Sequence, residues 1–209
     1  LMGLSEKLSQ LNFERNMNWV RPSKPSETAR QAIFAFKGDV YQGLDAISLS
    51  KAEINYTQKN LCILSGLYGF LKPLDLMYPY RLEMGTKMQN KRGENLYEFW
   101  GSKVTKSINS LAKENKSKAI VNLASVEYFS VLKRDQLDLP IISPIFKDYK
   151  NGQYKIISFF AKKARGTMTR FIMQNKVKKI EDLNDFNLDG YRYSKKDSEK
   201  FSPVFLRKT

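Results

Sequence analysis

The sequence predicts one domain of the α/β or α+β class, with a mixed β-sheet flanked by helices. Two patterns indicate this class. Short apolar runs alternate with helical patterns along the chain, and strand pairs joined by turns close its C-terminal half. The chain has 209 residues, and no linker rich in proline, glycine or serine divides it. Residues 1–209 are therefore predicted to form a single compact domain.

Each predicted element depends on a local pattern. Helices are predicted at residues 5–13, 40–46, 50–59, 95–114, 126–132 and 167–175. Strands are predicted at residues 32–36, 61–64, 118–123, 140–147, 153–160, 190–193 and 203–206.

The helices are indicated by capping residues and by apolar spacing. In the first helix, Leu8 and Leu11 are expected to face inward. Ser50 followed three residues later by Glu53 is the pattern of a capping box. Residues 95–114 have the clearest helical spacing, with apolar side chains inward and lysines outward at 103, 106 and 113.

The strands are short apolar or β-branched runs that stop at turn residues. The run at residues 32–36 stops at Lys37-Gly38-Asp39, and the run at residues 61–64 leads into a glycine-containing stretch. Asn151-Gly152 lies between two runs rich in β-formers and is the best hairpin signal in the chain.

The glycine-containing stretch at residues 65–85 is the most unusual part of the sequence. It carries too many apolar and aromatic residues for a solvated linker, and too much glycine and proline for a helix. We expect a long loop held against the body of the protein. It is either a wall of a binding cleft or a connection over a core edge with Arg81 and Glu83 paired on its surface.

The composition excludes several kinds of chemistry. No histidine is present, which removes Ser-His and Cys-His catalysis and nearly all zinc and non-haem iron sites. Cys62 is the single cysteine, and its apolar neighbours predict an inert thiol. No apolar run reaches the ~20 residues of a membrane span and no secretory signal is visible, so a cytoplasmic protein is expected. The formal charge of +15 suits a polyanionic partner, although a lysine-rich source proteome would give the same charge.

The strongest basic cluster is Lys162, Lys163 and Arg165. We expect it where the strand at residues 153–160 passes into the next helix, beside Gly166. Three cations within four residues suit phosphate recognition, in which arginine binds bidentately and lysines act as point charges.

Two other strand ends carry polar groups. Lys37 is expected either to pair locally with Asp39 or to contact a phosphate. Asn122 and Ser125 follow the strand at residues 118–123, a position at which α/β proteins often place ligand contacts.

Four segments of this sequence resemble the YaaA family of bacterial peroxide-stress proteins. They are AFKGDVYQGL at 35–44, SGLYGFLKPLDLMYPYRLEMG at 65–85, NLASVEYF at 122–129 and ISFFAKKARGTMTRFI at 157–172. The segments follow the order of the family, and the resemblance covers essentially the whole chain. It implies a compact fold peculiar to the family, a basic cleft, and duplex DNA binding that protects cells under hydrogen peroxide stress and helps limit damage by iron and peroxide.

The resemblance also implies a helix-hairpin-helix element at the N-terminal end. The opening residues resemble the hairpin of that motif, with Gly3 in the tight turn and amides of the next helix directed at a phosphate. Ser5 stands where a second glycine is commoner, and an ordinary capped helix beginning there is the alternative. Family members start with a further segment that contains a strand and a Pro-Ala-Lys motif, and we expect that segment to precede this sequence.

The expected site residues follow from these motifs. The expected DNA contacts are Gly3, Ser5, Lys7, Lys37, Arg81, Lys162, Lys163 and Arg165. The expected lining of the cleft is Asp39, Ser65, Tyr68, Asp75, Glu83, Asn122 and Ser125. These residues are predicted to share one concave surface. We expect a monomer that binds double-stranded DNA, with no cofactor, no metal ion and no membrane contact.

Two enzymatic alternatives stay open beside the leading hypothesis of DNA binding without catalysis. A lyase acting on nucleic acid would use Lys7, at the position of the Schiff-base lysine in helix-hairpin-helix glycosylase-lyases. No aspartate lies at the distance those enzymes use, because Ser26 and Glu27 occupy that region. An enzyme acting on an anionic small molecule would use Asn122, Ser125, Arg81 and Glu83.

Overall fold

The structure is a computed structural model that describes residues 5–208. The chain divides into two compact units, and each mixes helices with small β-sheets. The first unit contains residues 1–35, 61–110 and 124–137, and the second contains residues 36–60, 111–123 and 138–209, as far as these are described. The fold class is therefore α+β. Whether the whole chain folds as one domain stays a prediction.

The helices and strands of residues 5–208 are numbered along the chain. The α-helices are α1 (Glu6–Met17), α2 (Ala32–Ala35), α3 (Asp39–Leu44), α4 (Lys51–Asn60), α5 (Leu96–Trp100), α6 (Lys103–Glu114), α7 (Val126–Phe129) and α8 (Ser158–Asn175). The strands are β1 (Arg30–Gln31), β2 (Ile63–Ser65), β3 (Gly69–Leu71), β4 (Leu76–Met77), β5 (Ile120–Val121), β6 (Ile141–Ile142), β7 (Ile145–Lys150), β8 (Gln153–Lys155), β9 (Arg192–Tyr193) and β10 (Val204–Arg207). Short 3₁₀ helices lie at Ala46–Ser48, Arg134–Gln136, Ile180–Asp185, Leu188–Gly190 and Lys195–Asp197.

In the first unit, the stretch at residues 65–85 is held against the body as predicted, and we call it the ribbon. Short strands lie in its first part, which the sequence did not predict, whereas residues 78–85 contain no strand or helix. β2 and β3 pair as a tight antiparallel hairpin, and β4 pairs antiparallel with β1. Gly69 has a φ of 71°, and a Cβ there would lie 2.7 Å from the Trp100 ring. The Trp100 indole in turn donates a hydrogen bond of 3.0 Å to the Gly66 carbonyl. The glycines of this motif therefore allow the backbone to turn under a tryptophan ring.

The apolar run at residues 32–36 forms the one-turn helix α2, so the predicted strand is wrong. Its first amides are satisfied by the neighbouring ribbon, because Ala32 N–H donates to the Asp75 carbonyl at 2.8 Å and Ile33 N–H donates to the Pro73 carbonyl at 2.9 Å. A buried run this short has no periodicity that separates a helical turn from a strand.

The single helix predicted at residues 95–114 is two helices, α5 and α6. The Asn95 side chain caps α5 by accepting a hydrogen bond of 3.0 Å from the Glu98 amide. Gly101 ends α5 with a φ of 52°, a value that favours glycine. The inward spacing holds on both sides of the break, where the buried apolar residues are Leu96, Val104 and Ile108.

The second unit contains a four-stranded sheet in the order β8-β7-β10-β9. β7 and β10 run parallel, with Phe146 opposite Phe205, and the two outer pairs are antiparallel. The sheet is therefore mixed, as predicted, and the predicted terminal strand pair is confirmed as β9 and β10. A separate parallel pair, β5 with β6, lies in the same unit.

The hairpin predicted at Asn151-Gly152 is confirmed between β7 and β8. Both turn residues have a positive φ, 55° and 80°, and Lys150 pairs with Gln153 across the turn. These are the features of the two-residue type I′ turn.

The strand predicted at residues 153–160 is wrong in its second half. β8 ends at Lys155 and helix α8 begins at Ser158, nine residues earlier than the helix predicted from Thr167. The run of Ile, Phe and Phe has strand propensity, but Ala161 and Ala164 are buried when the segment is helical. Tertiary packing therefore overrides the local preference.

Helix α8 covers one face of the four-stranded sheet and closes the hydrophobic core of the second unit. Phe146 and Phe205 stack at 5.5 Å between ring centroids, and Phe186 meets both rings edge-on. The core cluster is Ile142, Phe146, Ala161, Ala164, Met168, Phe171, Leu183, Phe186, Tyr191 and Phe205. We call the sheet face that contacts α8 the inner face.

A buried polar cluster joins the inner face to the C-terminal strand. Asp148 accepts a hydrogen bond of 2.9 Å from the Tyr191 hydroxyl and one of 2.6 Å from Arg207 Nε. The Arg207 guanidinium lies between the rings of Phe160 and Tyr191, at 4.5 and 4.6 Å from their centroids. Burial and the hydrogen bond to Asp148 raise the pKa of Tyr191 above its ordinary value.

Helix α4 begins with the predicted capping box. The Ser50 amide donates to Glu53 Oε2 at 2.6 Å, and the Glu53 amide donates to Ser50 Oγ at 3.3 Å. These hydrogen bonds from Ser50 lower the pKa of the Glu53 carboxyl.

Helix α1 is longer than predicted, and only part of its predicted inward face is buried. Leu8 is half-buried, whereas Leu11 is 39% exposed, so the inward placement of Leu11 is wrong. Gly3 lies outside the described residues, and the helix-hairpin-helix element stays a prediction. Across residues 5–208, no helix is both long and apolar enough to cross a membrane.

Candidate nucleic-acid interface

Helices α3 and α8 of the second unit cross with their backbones in contact, at Gly43 and Gly166. A Cβ on Gly166 would lie 2.8 Å from the Leu44 amide nitrogen, and a Cβ on Gly43 would lie 2.9 Å from the Thr167 amide nitrogen. Neither glycine has a positive φ, so each is needed for close approach and not for its backbone conformation. This crossing brings two motifs together that are more than 100 residues apart in sequence.

Arg170 of α8 forms hydrogen bonds to the end of α3. Its Nη1 donates to the carbonyls of Leu44 and Asp45, at 3.1 and 2.9 Å, and lies 3.7 Å from the Asp45 carboxylate. These carbonyls end α3, where a cation also interacts favourably with the helix dipole. The guanidinium of Arg170 therefore binds groups of the protein itself, at the end of α3.

The cluster Lys162, Lys163 and Arg165 lies inside the first half of α8 and not at the strand-to-helix junction that the sequence predicts. The two lysines are exposed and Arg165 is half-buried. Within residues 5–208, these three side chains form no hydrogen bond or ion pair. Burial lowers the pKa of Arg165, but a guanidinium stays protonated at neutral pH. The cluster therefore presents three cations that no described residue neutralises.

Lys37 lies just before the other helix of this crossing. It is exposed and follows α2, whereas the sequence predicts it at the end of a strand. Gly38, with a φ of 120°, turns the chain into α3, and Asp39 begins the helix. Among the described residues, Lys37 and Asp39 form no ion pair, so the local pairing considered from the sequence is absent.

We call Lys162, Lys163 and Arg165 on α8, together with Lys37 just before α3, the α3–α8 basic site. Lys162 and Lys163 lie one helical turn before Gly166, about 5 Å along the helix axis. The eighteen residues of α8 contain four cations and no carboxylate, and of the four cations only Arg170 is paired. The three cations of the site on α8 therefore have no compensating carboxylate on their own helix.

In the first unit, the predicted cleft residues Ser65 and Tyr68 hold the ribbon together. Ser65 is buried, its Oγ accepts from the Tyr68 amide at 2.9 Å, and it lies 2.6 Å from the Tyr80 hydroxyl. The Tyr68 hydroxyl accepts from the Tyr78 amide at 3.1 Å. Burial raises the pKa of Tyr80 to about 12. Their polar atoms are engaged in the fold.

The charged residues of the ribbon are also paired. Asp75 accepts a hydrogen bond of 2.7 Å from the Lys72 amide and so closes a turn. Arg81 and Glu83 are both exposed, with Arg81 Nη2 at 4.0 Å from Glu83 Oε1. This is the surface pairing considered from the sequence, and an exposed pair of this kind contributes little stability.

Asn122 and Ser125 lie in different units. In the second unit, the backbone N–H of Asn122 donates a hydrogen bond of 2.7 Å to the backbone carbonyl of Ile142. Ser125 caps α7 in the first unit, where its Oγ accepts from the Tyr128 amide at 3.3 Å. The cap gives the Ser125 hydroxyl a structural role.

The N-terminal candidates are exposed. Ser5 precedes α1 without capping it through its side chain, and Lys7 lies in the first turn. The lyase alternative requires a lysine made nucleophilic by burial or by crowding with cations. Lys7 is neither buried nor beside another cation in its own turn, where its neighbour is Glu6.

The predicted site residues therefore fall into two groups. Those in the second unit are Lys37, Asp39, Asn122, Lys162, Lys163 and Arg165. Those in the first unit are Ser5, Lys7, Ser65, Tyr68, Asp75, Arg81, Glu83 and Ser125. A single cleft lined by both groups stays a prediction. Within residues 5–208, no cluster of three or more His, Cys, Asp or Glu residues could hold a metal ion.

Two features of the site were not anticipated from the sequence. The close approach of the two helices at Gly43 and Gly166 was missed, although a glycine inside a helical pattern is a signal of close packing. The role of Arg170 was also missed, because nothing in a sequence separates a cation that caps a distant helix from one that faces solvent.

The amino-acid sequence matches the family model described as peroxide stress protein YaaA over residues 1–197. It is 56% identical over 207 residues to proteins named UPF0246 protein from Aliivibrio fischeri, Shewanella halifaxensis and Shewanella baltica. Each of these alignments covers 99% of this chain and 80% of the relative.

Proposed function

This chain belongs to the peroxide stress protein YaaA family, and from that premise we propose that it binds duplex DNA during peroxide stress through the α3–α8 basic site. The single observation that carries the proposal is the set of three unpaired cations on α8. The exposed lysines would neutralise phosphates as point charges, and Arg165 would bind a phosphate oxygen pair.

The charge pattern of α8 favours an anionic partner over a merely solvated face. Lys162 and Arg165 are three residues apart, and like charges at this spacing destabilise a helix by about 0.2–0.5 kcal/mol. No carboxylate of α8 offsets this repulsion. A phosphate between the side chains would remove it.

Contacts of this kind bind DNA without reading its sequence, because phosphates are the same at every base pair. Each contact also releases cations condensed on the duplex. A bound protein would therefore displace ferrous iron from the DNA surface, where its reaction with peroxide damages the strands. This gives the peroxide-stress role a physical basis that needs no catalytic residue.

The test is the triple variant Lys162→Ala, Lys163→Ala and Arg165→Ala, titrated against a labelled duplex at several salt concentrations. Each lost phosphate contact should flatten the slope of log affinity against log salt by about 0.9. Affinity should fall alike for duplexes of unrelated sequence.

The matched control is Lys103→Ala, Lys106→Ala and Lys113→Ala on helix α6. It removes the same charge from three exposed lysines of another helix. Circular dichroism and urea unfolding check that both triple variants fold. A double variant, Lys162→Ala with Lys163→Ala, changes only exposed side chains and leaves the half-buried Arg165 in place. If the α6 control loses as much duplex affinity as the α8 variants, the attraction is that of net charge alone and the proposed site is wrong.

A further inference from the structure

The face of the four-stranded sheet opposite to α8 is exposed at its β8 edge, whereas Val204 of β10 is buried on the same face. Phe146 and Asp148 of β7 point to the inner face and are buried. Side chains alternate along a strand, so Lys147 and Tyr149 point the other way. On β8, Tyr154 is directly opposite Tyr149 and shares this outer face.

Two tyrosines form an exposed aromatic pair on the outer face. The rings of Tyr149 and Tyr154 are 5.2 Å apart between centroids in an edge-to-face arrangement. Tyr149 is 36% exposed and Tyr154 is 40% exposed. The ammonium nitrogen of Lys208, which follows β10, lies 5.0 Å from the centroid of the Tyr149 ring.

The charged residues that the four strands and Lys208 place on this face are all positive. Lys147 and Lys208 flank the tyrosines, and Arg192 extends the outer face on β9, opposite Leu206. Among the described residues of the four strands, no outward-pointing residue carries a carboxylate, because Asp148 points inward. We call Lys147, Tyr149, Tyr154 and Lys208 the stacking face.

We propose that the stacking face binds single-stranded nucleic acid, with the tyrosine rings stacking on unpaired bases and the lysines holding phosphates. Exposed aromatic rings beside cations on a sheet are the arrangement by which proteins bind unpaired strands. A duplex keeps its bases inside the helical stack, where these rings cannot reach them. The stacking face therefore discriminates in favour of unpaired nucleotides.

This second surface is separate from the α3–α8 basic site. Helix α8 packs on the inner face of the sheet, and the tyrosines lie on the outer face of the same sheet. The proposal depends on the aromatic pair and its lysines, and it stands whether or not α8 binds duplex DNA.

The test compares Tyr149→Ala with Tyr154→Ala, as a double variant, against Phe201→Ala. Phe201 is the matched control, because it is 44% exposed and Lys200 Nζ lies 5.2 Å from its ring centroid. It precedes β10, whereas Lys208 follows that strand, so Phe201 lies at the opposite end of the sheet. Fluorescence anisotropy would measure binding to labelled oligothymidylate, to labelled oligouridylate and to a labelled duplex.

The alanine double variant should lose about tenfold or more in affinity for the single strands, because stacking contributes about 1–3 kcal/mol per base. Its duplex affinity and the single-strand affinity of Phe201→Ala should stay unchanged. A loss for oligothymidylate alone identifies DNA as the ligand, a loss for oligouridylate alone identifies RNA, and a loss for both identifies unpaired bases in either.

Two further variants separate stacking from folding. Tyr149→Phe with Tyr154→Phe keeps both rings and should bind single strands like the unaltered protein. Tyr149→Leu with Tyr154→Leu keeps apolar area without aromatic faces, and it replaces the alanine variant if that variant fails to fold. Equal loss in the Phe201 control, or no loss in either the alanine or the leucine variant, would overturn the proposal.

Discussion

Replacing Gly166 by alanine tests the helix contact that positions the α3–α8 basic site. Two effects of opposite sign compete. Alanine is favoured over glycine inside a helix by about 0.5–1 kcal/mol. Against this, the new methyl carbon would lie 2.8 Å from the Leu44 amide nitrogen and closer still to the Val40 carbonyl oxygen. Both are backbone atoms, so no side-chain rotation can relieve the clash.

The clash should win. Overpacking a tightly packed interior costs about 1–3 kcal/mol and occasionally more, and a backbone neighbour places this case at the upper end. After the gain in helix propensity is subtracted, Gly166→Ala should lower the free energy of unfolding by about 2 kcal/mol or more. Gly43→Ala should behave alike, and the double variant should cost less than the sum, since the first methyl group already moves α3 away.

Urea unfolding followed by circular dichroism measures these differences. Gly85→Ala is the control, because its added Cβ would approach only the Glu127 side chain, at 3.2 Å, and Gly85 has no positive φ. Its stability should change by no more than about 0.5 kcal/mol. If Gly166→Ala is as stable as the unaltered protein, or more stable, helix propensity has prevailed and the backbone contact of α3 with α8 is wrong.

Two other predictions follow from buried groups. Burial raises the pKa of the Cys62 thiol to about 12, although part of the residue's surface is accessible. Because the thiolate is the reactive form, iodoacetamide should modify the native protein far more slowly than the urea-unfolded protein at pH 8. In the unfolded protein this thiol ionises near pH 8.5, well below its pKa in the folded protein. The free energy of unfolding should therefore fall as the pH rises from about 8.5 towards 12. Equal rates of modification of the native and unfolded protein would contradict both statements. Asp148→Ala leaves the Arg207 guanidinium buried without its carboxylate and should cost about 3–5 kcal/mol in urea unfolding. Tyr191→Phe removes one hydrogen bond to that carboxylate and should cost about 1.5–3 kcal/mol, so an Asp148→Ala cost below the Tyr191→Phe cost would refute this account of the cluster.

Features set by neighbouring residues could be predicted from the sequence. The Asn151-Gly152 turn needs two residues with positive φ, and asparagine followed by glycine supplies them without help from the rest of the chain. The capping box of Ser50 and Glu53 is likewise complete within four residues. Mixed pairing of the sheet was predictable because strands that alternate with helices favour parallel pairs, whereas the hairpin signals add antiparallel pairs.

Features set by distant contacts could not be predicted. Residues 32–35 are helical because their amides meet the carbonyls of Pro73 and Asp75, which are about 40 positions away. Helix α8 begins at Ser158 because Ala161 and Ala164 pack on the sheet. In both cases a short apolar run had the composition of a strand, and the tertiary environment decided otherwise.

The candidate residues divide by the same reasoning. Ser65 and Asp75 were chosen from the stretch at residues 65–85, and Ser125 as a polar group after a strand. Each one satisfies a backbone amide. Turns and helix starts leave unpaired amides, so polar residues accumulate there for structural reasons. Sequence position alone cannot separate that role from ligand binding. Lys162 and Lys163 differ because no described residue satisfies them.

Strand β7 contributes to both faces of the four-stranded sheet. Asp148 and Tyr149 are neighbours on β7, yet one binds Arg207 beneath α8 and the other points to the opposite face. A slip of one residue in the pairing of β8 with β7 would move Tyr154 to the inner face and separate it from Tyr149. The type I′ turn at Asn151-Gly152 excludes that slip, because its two residues fix Lys150 opposite Gln153. The turn therefore keeps Tyr154 beside Tyr149 on the outer face, while the pairing of β7 with β10 keeps Asp148 beside Arg207 in the core under α8.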